Sequence, residues 1–323
     1  MSITEVQIAS STAPSVATLS VTTSSSVATS SSVAESLSWW QDYVALTKPR
    51  ILLMILLTVG IGMVAFAHRE LSALVAIHTL LGTTLIAASA SVLNQWLEAD
   101  QDALMMRTKN RPLPAGRLTS FEAGLFGWSI GILGFAYLAV ATNWMATFVG
   151  LATWVAYVWI YTPMKQWSWW NTAVGTLPGA LPVMIGWTAA GGSIYDLEGW
   201  VITSVVILWQ FPHFMAIAWL YRDQYAGAGY KMLTNVEPTG LAAGWHAVIP
   251  ALILIPVSVI AVTPESPITW ILAALAVASC LSQVAASIRF LRDRNQQTAR
   301  KLLHSSLIYL PSILLIVLVR SIL

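Results

Sequence analysis

Long apolar runs alternate with polar connections from residue 51 almost to the end of the chain, at 51–67, 72–97, 120–141, 144–162, 172–190, 200–220, 241–261, 268–289 and 302–320. Each holds about 17 to 25 residues, which at about 1.5 Å per residue crosses a hydrocarbon core roughly 30 Å thick. An outer-membrane barrel would instead alternate apolar and polar residues over about 10 positions. The pattern predicts an all-α polytopic membrane protein, with about nine transmembrane helices in one bundle and cap loops on the cytoplasmic side. Residues 1–38 break the pattern with 19 Ser or Thr and no Lys or Arg, and are expected to be a disordered polar tail. Residues 39–323 are expected to form a single domain. The tail lacks the basic start and apolar core of a secretory signal and the arginines of a mitochondrial presequence.

Charge adds direction. Only 9% of the 323 residues are charged and 57% are hydrophobic, a balance that excludes a soluble enzyme, and a net charge of +2 gives no reason to expect a nucleic-acid partner. Of the 16 basic residues, 14 fall in connections on the side of the N-terminus, leaving Arg69 and Arg320 opposite. Cytoplasmic loops collect Lys and Arg, so the N-terminus is expected in the cytoplasm and, after nine spans, the C-terminus outside. Cys280 is the only cysteine, which rules out intrachain disulfides and thiolate metal cages.

No Asp, Glu or Lys falls near the midpoint of a span, where ion-coupled transporters usually keep such groups. Polar chemistry gathers instead at 98–118, around Lys165, and at 221–240. If the second span continues helically, Asn94, Glu98 and Asp102 stand at i, i+4 and i+8 and share one face. Carboxylates so placed suit Mg²⁺, which takes one or two of them with substrate phosphates and waters. Arg107, Lys109 and Arg111 follow, and guanidinium groups bind phosphate oxygens bidentately. The same spacing also fits a solvated helix end carrying cytoplasmic arginines. Asp100 faces elsewhere, and Thr119 with Glu122 has capping-box spacing. In the sixth span Pro212 predicts a kink beside His213, which could ligate a metal or haem iron, move a proton, or hydrogen-bond a neighbouring helix. Arg222 and Asp223 offer a second charged pair at the depth of Asp102. Gly175, Gly179 and Gly186 predict close helix packing.

Three blocks in combination resemble the protohaem IX farnesyltransferase (haem O synthase) family of UbiA-type intramembrane prenyltransferases. They are 94–112, ending in Met105-x-Arg107-Thr108-x-x-Arg111-Pro112; 161–187, opening with Tyr161-Thr-Pro-Met-Lys165; and 209–229, opening with Trp209-Gln-Phe-Pro-His213. The likeness runs from about Thr47 into the last span. It implies an Mg²⁺-dependent transfer of farnesyl from farnesyl diphosphate to a vinyl group of haem b, with water added, giving haem O for haem-copper oxidases. It further implies catalytic roles for Asn94, Glu98, Asp102, His213 and Asp223, with Glu98, Asp102 and Asp223 as metal ligands. Arg107, Lys109, Arg111, Lys165 and Arg222 become diphosphate-binding residues. The implied partners are farnesyl diphosphate, haem b, the bilayer, and haem A synthase or oxidase assembly proteins, in a bacterial inner membrane. The chain departs from the family pattern at Gln224, where Asp is common, at Gln166, where Arg is usual, and at Val183, where a second proline is usual. A quinone-precursor prenyltransferase would share the diphosphate site, and a transporter or haem-binding assembly factor is the alternative of a different class.

Overall fold

A computed structural model describes residues 39–67, 70–263 and 265–323; the expected tail at 1–38 and Arg69 lie outside the described residues. Helix α1 (Trp39–Leu46) passes to α2 (Pro49–Ala67) through Thr47 and Lys48. Lys48 has φ 52°, a left-handed conformation uncommon for a residue with a side chain, directly before a proline that fits the first helical position. The turn sends the Lys48 ammonium inward to α3 (Ala73–Leu97), where it donates to Asn94 Oδ1 at 2.9 Å. A short helix, α4 (Ala99–Ala103), follows α3 after a change of backbone angles at Glu98. The break is slight, because Glu98 N–H still donates to the Asn94 carbonyl at 3.1 Å and Asp102 N–H to the Glu98 carbonyl at 2.8 Å.

Helix α5 (Ser120–Ala141) begins with the expected capping box, in which Thr119 accepts from the Glu122 amide and Glu122 accepts from the Thr119 amide. It runs back along α3, where Ser89 Oγ donates to the Gly127 carbonyl at 2.7 Å. The next span starts as α6 (Trp144–Val155), widens into six π-helical residues (Ala156–Tyr161), and ends as α7 (Thr162–Trp167). The π turn is closed by Thr162, whose backbone amide and hydroxyl both donate to the Tyr157 carbonyl. π turns shift the facing of every later residue and are frequent at functional sites.

The run at 172–190 forms two consecutive helices, α8 (Asn171–Ala180) and α9 (Pro182–Ala189), interrupted at Leu181 because Pro182 has no amide to donate. Every residue of α9 is buried. Backbones meet where it crosses α2: a Cβ at Gly186 would stand 1.9 Å from the Val59 carbonyl oxygen, and one at Gly62 2.0 Å from that of Val183. The remaining long helices are α10 (Leu197–Leu220), then, after the short helices α11 (Arg222–Gly227) and α12 (Leu233–Val236), α13 (Leu241–Val262), α14 (Pro267–Arg292) and α15 (Gln296–Ile322). Among the described residues, eight helices are long and apolar enough to cross a membrane. The α8–α9 pair also crosses the bundle. Asn171 donates to the Lys231 carbonyl at one end, while Ala190 shares a cavity with Phe66, Ala67 and Leu323 at the other. Outer faces expose Ile132, Leu133, Val140, Phe148 and Leu315, tolerable only where lipid replaces water.

Candidate active site

At the end of the bundle that holds the α3–α4 junction, a cavity of about 260 Å³ opens between α2, α3, the π turn, α10 and the loops after α4 and α11. Asn94, Glu98 and Asp102 line one wall, as their spacing predicts, and all three are buried, Asp102 to 1% exposure. Each oxygen-bearing group is held by a cation from elsewhere in the chain. Lys48 reaches Asn94, Lys165 forms an ion pair with Glu98, and Arg111 pairs with Asp102 at 2.5 Å. Asn94 also donates through Nδ2 to Thr162 Oγ1 at 3.0 Å, fixing its amide. Burying carboxylates costs several kcal/mol each unless a partner compensates, and these pairs supply that compensation.

Arg107 completes the rim. Its backbone amide donates to Gln224 Oε1 at 3.2 Å, its guanidinium donates to Tyr225 Oη at 3.2 Å, and it lies 4.8 Å above the Tyr221 ring. Gln224, the departure from the family pattern, thus ties the loop after α4 to helix α11. Arg117 anchors the same loop to α1 through Asp42 at 3.0 Å. The inner wall is apolar, with Ile51, Met105, Phe214, Ile217 and Met232.

Four expected site residues stand apart from this cavity. Asp223 is 90% exposed, its nearest cation being Arg222 at 3.6 Å, because the turn at Tyr221 points Gln224 and Tyr225 toward Arg107 and Asp223 outward. Arg222 itself lies over the Trp219 ring at 4.3 Å, and Lys109 is exposed on the loop. His213 faces α15: its Nδ1 bonds Ser306 Oγ at 2.9 Å and its ring stacks on Trp209 at 4.9 Å. Of the three options for this histidine, the hydrogen bond to a neighbouring helix is the one its geometry displays.

The structure also brings in four residues to which the sequence pattern gave no site role: Lys48, Tyr157, Tyr161 and Tyr230. Burial, with Arg111 nearby and Glu98 partly offsetting both, brings the Lys48 pKa down to about 7. Burial pushes the Tyr230 phenol up, so it remains a neutral donor. Tyr157 and Tyr161 lie four residues apart across the π turn, with ring centroids 5.5 Å apart and Lys165 Nζ 4.7 Å from the Tyr161 ring. That i, i+4 aromatic pair beside Lys165 was the available signal.

Among the described residues no group of three or more His, Cys, Asp or Glu gathers to hold a metal unaided. Glu98 and Asp102, two buried carboxylates on one wall, fit an ion that takes one or two carboxylates and fills its remaining positions with waters and phosphates, which describes Mg²⁺. Cations surrounding carboxylates at the polar mouth of an apolar bundle form an arrangement chemically able to take an anion attached to a lipophilic tail.

The chain belongs to the UbiA prenyltransferase family, whose pattern matches residues 55–310. It is 42% identical over 286 residues to the protoheme IX farnesyltransferase of Rhodopirellula baltica, covering 86% of this chain and 99% of that one. With the protein of the same name from Solibacter usitatus it shares 39% over 284 residues, 84% of this chain and 96% of the relative. The fold matches a digeranylgeranylglyceryl phosphate synthase with a TM-score of 0.71 at 17% identity, over 88% of this chain and 99% of that one. A UbiA homologue from Archaeoglobus fulgidus, solved with GPP and Mg²⁺, superposes with a TM-score of 0.61 at 16% identity, over 85% and 99% respectively.

Proposed function

We propose that this enzyme transfers the farnesyl group of farnesyl diphosphate to a vinyl group of haem b, with addition of water, giving haem O. The observation that carries the reading is the convergence of Lys48, Arg107, Arg111 and Lys165 on the Glu98–Asp102 wall, in a chain 42% identical to a protoheme IX farnesyltransferase. Cleaving the allylic carbon–oxygen bond leaves negative charge on the departing diphosphate. Lys165, Arg111 and Arg107 are positioned to receive its oxygens, exchanging their contacts with the protein's own groups for the substrate's. Preorganised donors of this kind stabilise charge as it develops, each contributing about 10²–10³ in rate where single donors have been removed. Glu98 and Asp102 would hold Mg²⁺, which when bound compensates the same diphosphate charge.

The allylic cation must be kept from water until it meets the acceptor. Ile51, Met105, Phe214 and Ile217 supply that dry wall, and the tyrosine faces beside it present negative quadrupoles to a cation. The farnesyl chain and the porphyrin are both lipophilic, so they reach such a site from the bilayer while the diphosphate stays at the polar mouth. The distribution of basic residues supports an inner-membrane orientation with this mouth, and the N-terminus, in the cytoplasm. Haem A synthase and oxidase assembly proteins are the partners to which haem O would pass.

The test is incubation of the detergent-solubilised enzyme with haem b, farnesyl diphosphate and Mg²⁺, with the haem product read by mass spectrometry. A haem heavier by a farnesyl group and a hydroxyl group, lost or reduced at least about 10²-fold in Asp102→Ala, is expected. Unchanged haem with continued consumption of farnesyl diphosphate would reassign the acceptor. No consumption by folded enzyme would remove the reading altogether.

A further inference from the structure

Among the described residues, buried side-chain polar atoms without a hydrogen-bond partner belong to Thr83, Trp219, Tyr230 and Gln283, and of these Tyr230 alone lines the cavity. Buried polar atoms are partnered in the large majority of cases, so such an orphan calls for a physical reason. Tyr230 is only 4% exposed and packs with Met105, Ala218, Ala228 and Met232. Its position is fixed from several sides. Gly229 turns the chain with φ +76°, the Tyr230 amide donates to the Tyr225 carbonyl at 2.9 Å, and the Tyr230 carbonyl accepts from Asn235 Nδ2 at 3.0 Å. The next residue, Lys231, donates its amide to the Lys165 carbonyl at 2.7 Å, and Asn171 secures the Lys231 carbonyl at 3.0 Å. Tyr230 and Lys165 are therefore carried on one braced unit, with Lys165 Nζ 5.9 Å from the phenol ring. The Glu98 carboxylate lies beside the phenol without completing a hydrogen bond of ordinary geometry, and an anionic oxygen entering the cavity would supply a better-placed acceptor.

We propose that Tyr230 is a further diphosphate-binding residue whose hydroxyl donates to an oxygen of the prenyl diphosphate. The inference rests on the prenyl-diphosphate reading above and adds to it a neutral donor beside the Glu98 carboxylate. The chain has no need of another charge there, because Arg107, Arg111 and Lys165 already face two carboxylates. A neutral hydroxyl adds direction to the grip without further unpaired charge in a buried place.

The experiment measures binding of inorganic pyrophosphate with Mg²⁺ to the full-length solubilised enzyme by calorimetry, for wild type, Tyr230→Phe and Lys165→Ala. Tyr230→Phe keeps the ring and removes only the oxygen. It is expected to melt at the wild-type temperature without ligand, to bind pyrophosphate about 10- to 100-fold more weakly, and to show a raised KM for farnesyl diphosphate. A merely structural tyrosine would lower the unliganded melting temperature and leave that affinity alone. Wild-type affinity in Tyr230→Phe, with binding weakened in Lys165→Ala, overturns the Tyr230 assignment and leaves the diphosphate site standing. Absence of pyrophosphate binding by folded wild type overturns both. A fluorotyrosine placed at position 230 gives a second readout that keeps the phenol. Its fluorine resonance is expected to move on saturation with pyrophosphate, and an unmoved resonance counts against the contact.

Discussion

The buried pairs at the cavity wall have a double consequence for any substitution there. Lys165 and Glu98 are both largely sheltered from solvent, so Lys165→Met leaves a carboxylate buried without its partner. A destabilisation of about 3–5 kcal/mol is expected from that orphaned charge, together with a fall in turnover of about 10²–10³ from the lost donor. Adding Glu98→Gln removes the orphan. The double variant is expected to regain much of the melting temperature in detergent while turnover stays low. Recovery of turnover together with stability would show that the pair serves the fold alone. The contrast between these residues and the ones the sequence misplaces is instructive. Asn94, Glu98 and Asp102 were legible because a single helical period carries all three, and the slight break at Glu98 leaves their hydrogen-bond spacing intact. Lys48 and Tyr230 enter from distant segments through left-handed backbone at Lys48 and Gly229, which hydropathy does not register. Asp223 and His213 had suitable chemistry and depth, but spacing alone did not fix which way their helices turn.

Helix packing in this bundle depends on where a side chain is missing. Gly60 and Gly62 lie one turn apart or less on α2, yet a Cβ at Gly60 meets nothing within 4 Å, while one at Gly62 falls 2.0 Å from the Val183 carbonyl oxygen. Gly60→Ala is therefore expected to be neutral or to stabilise by up to about 1 kcal/mol through helix propensity. Gly62→Ala forces α2 away from α9, and overpacking of that kind costs about 1–3 kcal/mol or more. Thermal melts of the two variants side by side provide the check, and equal stability would mean that α2 and α9 do not approach as closely as described. The sequence indicated the small residues at Gly175, Gly179 and Gly186 but not their partners: the Tyr161 ring, the Gln210 side chain and the Val59 backbone. It also gave the run at 172–190 as one span. Pro182, at the point of interruption, was visible, whereas the full burial of α9 depends on neighbours far away in the chain. The π turn at Ala156–Tyr161 had no sequence signature of its own, since one extra residue in a turn leaves the apolar run unbroken.

At the scale of the molecule, the interrupted α8–α9 segment decides how the chain crosses the membrane. Eight long helices alone would bring both ends of the described chain to one face. Because Asn171 bonds the Lys231 carbonyl near the candidate-site cavity and Ala190 shares a cavity with Phe66 and Leu323, we propose that the pair adds a ninth passage and puts Lys48 and Leu323 on opposite faces. The proposed direction, with the cavity face in the cytoplasm, rests on charge, since that face holds nearly all the basic residues among those described. Cys280, the native cysteine, is fully buried between helices, where its thiol lies 3.5 Å from Ser258 Oγ, so introduced cysteines can be labelled against a silent background. Ala115 is exposed in the loop on the cavity face, and Tyr195, 87% exposed, follows α9 on the other. A membrane-impermeant maleimide is expected to modify Tyr195→Cys in intact spheroplasts and Ala115→Cys only in inverted vesicles. The reverse pattern would place the diphosphate mouth outside, away from the cytoplasmic supply of a charged substrate. Labelling of both from one side would leave α8–α9 short of a full passage and require the path of the chain through the bilayer to be redrawn.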